Sequence, residues 1–221
     1  ESTRPGSDTI DLAEERARVV PVIERLRRER PTLRISVDTR KAEVARDALD
    51  AGAGMINDVS ALADPAMASL AAQRGVPVAL MHMRGEPRAM QHDTSYRDLL
   101  GEIAAFLEER VVDALAAGIP NDKILIDPGI GFGKSALGNE EILCQLGSLR
   151  TLGLPILVGA SRKSFVGSRT GVSVPQNRLL GSVSAAVAAA LAGARAVRVH
   201  DVRETREALA MADAVRRWPG A

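Results

Sequence analysis

Aromatic residues are nearly missing from this 221-residue chain; at 2% they cannot supply the stacked platforms that grip single-stranded nucleic acid. Neither sign of charge is in excess, because 29 Lys+Arg face 28 Asp+Glu for a net charge of +1. That balance argues against a nucleic-acid clamp or a polybasic membrane anchor. Cysteine occurs once, at Cys144, so no intrachain disulfide can form and nothing points to secretion. Its setting, ILCQL, reads as buried helix packing rather than a nucleophile. No run approaches about 18 uninterrupted apolar residues, so no membrane span is expected. Neither an initiator Met nor a signal peptide opens the chain, which reads as starting partway through something longer. What remains, 46% apolar and 26% charged, is the composition of a soluble globular domain. No linker or repeat divides it, so residues 1–221 are expected to form one domain.

Short β-branched runs alternate with long amphipathic or Ala-rich stretches. The runs are RISVD (34–38), MINDV (55–59), VALMH (78–82), ILID (124–127), ILVGA (156–160) and AVRVH (196–200). Helices are expected near 9–29, 41–51, 64–74, 95–118, 139–152, 176–193 and 203–216. Gly52, Gly75, Gly118, Gly153 and Gly193 each fall just past a helix, where a left-handed C-cap is wanted. Strict βα alternation implies parallel strands covered by helices. An open doubly wound sheet and a (β/α)8 barrel without its first strand, first helix and second strand both fit.

The strand ends carry the polar residues: Asp38, Asn57 with Asp58, His82, Asp127, then Ser161, Arg162 and Lys163, then Arg198 and His200. Parallel β/α folds build their sites at the C-terminal ends of strands. One such residue is ordinarily a helix cap or a solvated end, but six strands ending this way make a ring. Arg198 and His200, two apart on one face, suit a phosphate or diphosphate, with Arg4 on the first loop. Asp38, Asn57 and Asp127 are acceptors for an N–H-rich heterocycle, and Lys163 is a donor for a ring carbonyl. The implied ligand is a planar nitrogen heterocycle bearing a phosphate-type leaving group.

Several motifs fail on inspection. The stretch from Pro128 to Ser135, PGIGFGKS, looks like a phosphate loop, yet Pro128 stands at the first required glycine. It reads better as a Gly-rich loop over a substrate. His82, His92 and His200 lack metal-ligand spacing, so no protein-only metal cage is expected. Ser161 lacks a nucleophile-elbow pattern, and Trp218 reads as a helix anchor.

With these residues in place, the chain resembles the dihydropteroate synthase family, the folate-pathway enzymes that sulfonamides inhibit. The resemblance rests on ESTRPG (1–6), SVDT (36–39), GAGMINDVS (52–60), MHMRGEPRAMQ (81–91), DPGIGFGK (127–134), LVGASRKSFVG (157–167), RLLGSVSAAVAAALAGA (178–194) and RVHDV (198–202). Each lies at a βα junction, in order. The resemblance implies a (β/α)8 TIM barrel that begins here after its first strand, first helix and second strand. A family Asn that helps hold the Mg2+–diphosphate would sit in the first strand, so no metal ligand is expected in this chain. Six strands alone would leave two edges unpaired.

The family reaction joins 6-hydroxymethyl-7,8-dihydropterin diphosphate to p-aminobenzoate, giving 7,8-dihydropteroate and diphosphate. By resemblance Asp38, Asn57, Asp127 and Lys163 bind the pterin, and Arg198 and His200 hold the diphosphate with Mg2+ as cofactor. Asp38, Lys163 and Arg198 carry catalysis. Thr3, Arg4, Pro5, Phe132, Lys163 and Ser164 would form the p-aminobenzoate pocket and its loops. Gly138 departs from the family, which more often has His before Asn139, but outside the expected pocket. The Ala-rich helix at 184–192 either packs closely on its own barrel or, as the resemblance implies, belongs to a homodimer interface. A cytoplasmic enzyme without nucleic-acid or membrane partners is expected. The rival readings are a catalytically silent pterin-binding paralogue and a pterin-dependent methyltransferase working with a corrinoid protein.

Overall fold

The computed structural model describes residues 7–217. Helix α1 (Leu12–Glu29) leads, with Asp11 capping it by accepting from the Glu14 N–H. Five βα steps follow: β1 (Ser36–Asp38), α2 (Ala42–Asp50), β2 (Met55–Asp58), α3 (Pro65–Arg74), β3 (Val78–Met81), α4 (Leu99–Ala116), β4 (Ile124–Asp127), α5 (Ala136–Cys144), β5 (Leu157–Val158) and α6 (Ser164–Thr170). Helix α7 (Leu179–Leu191), β6 (Ala196–Val197) and α8 (Val202–Arg216) complete the chain. Every expected strand is present, some shorter than expected. All five anticipated cap glycines have positive φ.

Strands β1 to β4 pair in sequence order and all in parallel. A parallel bridge from Ile126 to Ile156 links β4 to the β5–β6 pair, which is also parallel. This is the strand order of a barrel wall, with β1 and β6 as open edges among the described residues. The wall curls. Laid flat, six strands at about 4.8 Å spacing would separate the outer two by roughly 24 Å. Instead the Arg198 guanidinium, just past β6, reaches Asp38 at the end of β1 at 3.1 Å.

Side chains alternate between the two faces of this wall. Val37, Ile56, Val78, Leu80, Ile124, Ile126, Ile156 and Val158 point outward and join the helices in one buried core. The register places Asp38 beside Asn57, Asn57 beside Ala79, and Met81 beside Asp127, so these share the concave face. A second small cluster, Val59, Met81, Met90 and Phe132, is separate from the main core. One side of the sheet builds stability and the other is free for chemistry.

Three local readings are corrected. The helix expected at 139–152 begins at Ala136, because Ser135 caps it by accepting from the Gly138 N–H at 3.0 Å, and continues as a tighter 3-10 stretch over Leu146–Leu152. A short helix, Ser164–Thr170, was not expected; the left-handed Gly171 ends it. Cys144 is exposed, not buried. Ile142 and Leu146 face the core, and a residue two positions from each lies on the opposite side of the helix.

Candidate active site

Asp127 ends β4 on the concave face, 4% exposed, and its Oδ1 accepts the Gly129 N–H at 2.7 Å. Loss of hydration raises its pKa, against the pull of Lys163, the Gly129 N–H, Arg198 and Lys134. Lys163, one residue before α6, extends its stem past Gly131 and sets its ammonium 4.4 Å from the centre of the Phe132 ring. There it also donates to the Ile130 carbonyl. Desolvation, helped by Arg198, lowers its pKa from 10.5 to about 8, although Asp127 and Asp38 oppose the fall. Asp38 pairs with Arg198 across the mouth.

Asn57, beside Asp38, is 6% exposed, and its buried Oδ1 has no hydrogen-bond partner. Buried acceptors are seldom left unpaired, so this atom calls for a donor from a ligand. His200 stands at the other side, its Nδ1 3.0 Å from Ser161 Oγ, and the same hydroxyl accepts the His200 N–H at 3.3 Å. Lys163 stands within electrostatic reach of Asp127, Asp38 and Arg198. The structure brings together Asp38, Asn57, Asp127, Lys163, Phe132 and Arg198, and ties His200 to Ser161 just past β5. Ser164 is exposed at the first turn of α6. Thr3, Arg4, Pro5 and Trp218 lie outside the described residues.

The Gly-rich loop follows β4 and needs its glycines. Gly129 is left-handed, and a Cβ there would collide with the His82 carbonyl; Gly131 is left-handed too, and a Cβ would stand 2.9 Å from Lys163 Cδ. Asn139 fastens the loop from α5 by accepting the Gly131 N–H at 2.6 Å. Gln91 donates to the Gly131 carbonyl at 2.9 Å from the opposite side. Among the residues that sequence reasoning missed, Met81 and Val59 supply apolar surface beside Phe132; Ser161, expected at a strand end, orients His200.

His82 was expected in the ring and is not there. It is one residue past Met81 and therefore points outward, edge-on to Phe106 of α4 at 5.0 Å. Lys134 Nζ meets its Nδ1 at 2.8 Å and also donates to the carbonyls of His82 and Phe132, at 3.2 and 2.9 Å. Burial, with Lys134 and Arg84 nearby, lowers the His82 pKa from 6.5 to about 3. Between those values the unfolded chain binds a proton that the folded one refuses, so stability declines as pH falls through the window. The expected slope is about 1.4 kcal/mol per pH unit. His82→Asn, which keeps an acceptor for Lys134, should lose that slope in urea titrations at pH 7, 5.5 and 4.5. Parallel behaviour of the two proteins would refute the assignment.

Comparison with known proteins follows the same outline. A family model described as pterin binding enzyme matches residues 1–200. The dihydropteroate synthase of Escherichia coli strain K12 is 44% identical over 214 residues, 97% of this chain and 75% of the relative. A solved structure of Xanthomonas albilineans dihydropteroate synthase with 4-aminobenzoic acid superposes with a TM-score of 0.93 at 47% identity, covering 99% of this chain and 78% of the other. The Yersinia pestis dihydropteroate synthase in complex with a sulfonamide drug gives 0.94 at 47% identity, covering 98% and 78%.

Proposed function

The chain belongs to the pterin-binding enzyme family, and on that premise we infer that it carries out the dihydropteroate synthase reaction. The fold is that family's TIM barrel, and the activity is a transfer: 6-hydroxymethyl-7,8-dihydropterin diphosphate condenses with p-aminobenzoate to 7,8-dihydropteroate and diphosphate. The observation that carries the pterin reading is the orphaned Asn57 Oδ1 on the face it shares with Asp127. A pterin edge presents several N–H donors, which suit acceptors gathered on one concave face. Lys163 meets the ring carbonyl.

The diphosphate goes to Arg198 and His200. As the methylene C–O bond breaks, its electron pair leaves on the diphosphate, and positive charge spreads into the pterin ring above Asp38. The arylamine nitrogen then forms the C–N bond and releases a proton. Fixed charges at both ends of the breaking bond stabilise this separation without reorganising, so catalysis is electrostatic rather than covalent. In the free protein Arg198 pairs with Asp38; an arriving diphosphate competes for the guanidinium and leaves the Asp38 carboxylate without its countercharge. Phe132, Lys163 and Ser164, with Thr3, Arg4 and Pro5, take the arylamine, and sulfonamides compete there.

Among the described residues no group of three or more His, Cys, Asp and Glu could hold a metal ion. Magnesium brought by the diphosphate would supply further positive charge there, beside Arg198 and His200, which hold the diphosphate itself. The chain works as one domain and as a homodimer through the α7–α8 side, where Leu180, Leu191 and Met211 are exposed. No helix among the described residues is long and apolar enough to cross a membrane. By likeness to the dihydropteroate synthases we place the enzyme in the cytoplasm.

A coupled diphosphate-release assay, with and without p-aminobenzoate, tests the reaction. Sustained release that requires the arylamine is expected. Pterin binding without release would instead favour the silent paralogue, and methyl transfer to a corrinoid protein the other rival.

A further inference from the structure

We propose that Arg178 is a positioning residue for this reaction, its guanidinium fixing the main chain of Arg162 and Lys163 so that the Lys163 ammonium enters the mouth. The proposal rests on the function inferred above. It starts from a backbone anomaly: Arg162 has φ 60, in the left-handed region. A long side chain seldom sits there unless its surroundings over-determine it, and such residues cluster at working sites.

Three devices converge on that turn. Arg178, at the start of α7, donates from Nη1 to the carbonyls of Arg162 at 2.9 Å and Lys163 at 3.2 Å. Its Nε and Nη2 hold the carbonyls of Val172 at 2.9 Å and Ser173 at 2.5 Å. A planar fork with donors on separate arms can tie two segments together in this way, whereas an ammonium cannot. Ser182, one helical turn on, accepts the Arg162 N–H at 2.9 Å while donating to the Arg178 carbonyl at 2.6 Å. The Arg162 side chain forks onto both oxygens of Asp201, at 2.7 and 3.3 Å, and Asp201 is the neighbour of His200. The turn that presents Lys163 and the segment that presents the diphosphate-side histidine are therefore braced against each other.

Two glycines make room for the brace. A Cβ on Gly167 would lie 2.5 Å from Arg178 Nε, and one on Gly181 would lie 2.5 Å from Val166 Cγ1. The RLLGS motif thereby gains a physical role, because Arg178, Gly181 and Ser182 all serve the SRK turn although none of them faces the mouth.

The test compares Arg178→Gln and Gly167→Ala, which keeps the guanidinium but displaces it, with Arg169→Gln. Arg169 pairs with Glu140 on the exposed side of the same helix, so its variant reports general loosening of α6. For Arg178→Gln, kcat/KM for the pterin diphosphate should fall on the order of 100-fold, the scale of a catalytic group misplaced by about 1 Å. Gly167→Ala should lose about 10-fold by a smaller displacement of the same group. Arg169→Gln should match the wild type, and Arg178→Lys should not rescue. The alkaline limb of the pH profile should also move from about 8 toward 10.5 as Lys163 regains water.

Lower melting temperatures with unchanged kinetics and an unchanged alkaline limb would overturn the proposal, leaving Arg178 merely structural. If Arg178→Gln does not fold, Gly167→Ala decides by the same readouts. A wild-type protein that releases no diphosphate counts against the function instead, and is distinguished by that control.

Discussion

Lys163→Met should reduce turnover by at least 100- to 1,000-fold, the range for removing one preorganised donor from a water-poor site. Its folded state should melt no lower than the wild type at pH 7. The two expectations have one cause. Lys163 keeps its proton up to about pH 8 when folded and 10.5 when unfolded, so between those values the unfolded chain binds a proton that the folded chain has lost. Stability contributed by this residue therefore rises with pH across the window, and below 8 the full cost of burying the ammonium is present. Met removes that cost while keeping apolar contact with Phe132 and the space over Gly131. Asp127 loses a neighbouring cation but not a hydrogen bond, since Lys163 donates to Ile130, and it retains the Gly129 N–H. Thermal melts and steady-state rates on the same preparation check both halves. In the wild type, kcat/KM should fall as pH rises through about 8, where the ammonium that meets the ring carbonyl is lost. A variant of near-normal rate would remove Lys163 from the machinery.

The reach of the sequence ended where side-chain direction began. Alternating β-branched runs and helices, most of them followed by glycine, suffice for the layer order, because both signals are local. They left the open sheet and the barrel unresolved; the motifs favoured the barrel, and the Arg198–Asp38 contact shows the curl. His82 and Asp127 looked equivalent as polar strand ends. Strand parity separates them, and it becomes usable only once a register ties Met81 to Asp127. The same oversight on a helical period put Cys144 in the core. Arg178 sits in a motif that points to the family without revealing what the residue does, because its partners are carbonyl groups, which have no signature in a sequence.

Asp127→Asn should raise the KM for the pterin diphosphate about 100- to 1,000-fold with little change for p-aminobenzoate. The amide has the carboxylate's shape, and its oxygen can still accept from Gly129, so the Gly-rich loop should hold. The other atom changes from acceptor to donor and faces the pterin's own N–H edge. A lost charge-assisted bond costs about 1.5–3 kcal/mol, and the unmatched donor adds about 1–3 kcal/mol. Rejection by mismatched polar groups is the strongest discrimination a buried site has. The substitution also removes the anion that most opposes the fall of the Lys163 pKa, so the alkaline limb should move below 8. Calorimetry with the pterin diphosphate, together with the pH profile, measures both effects. Unchanged affinity would cost more than one assignment: Asn57 and Lys163 face the same mouth, and neither can meet the pterin in this way if Asp127 does not.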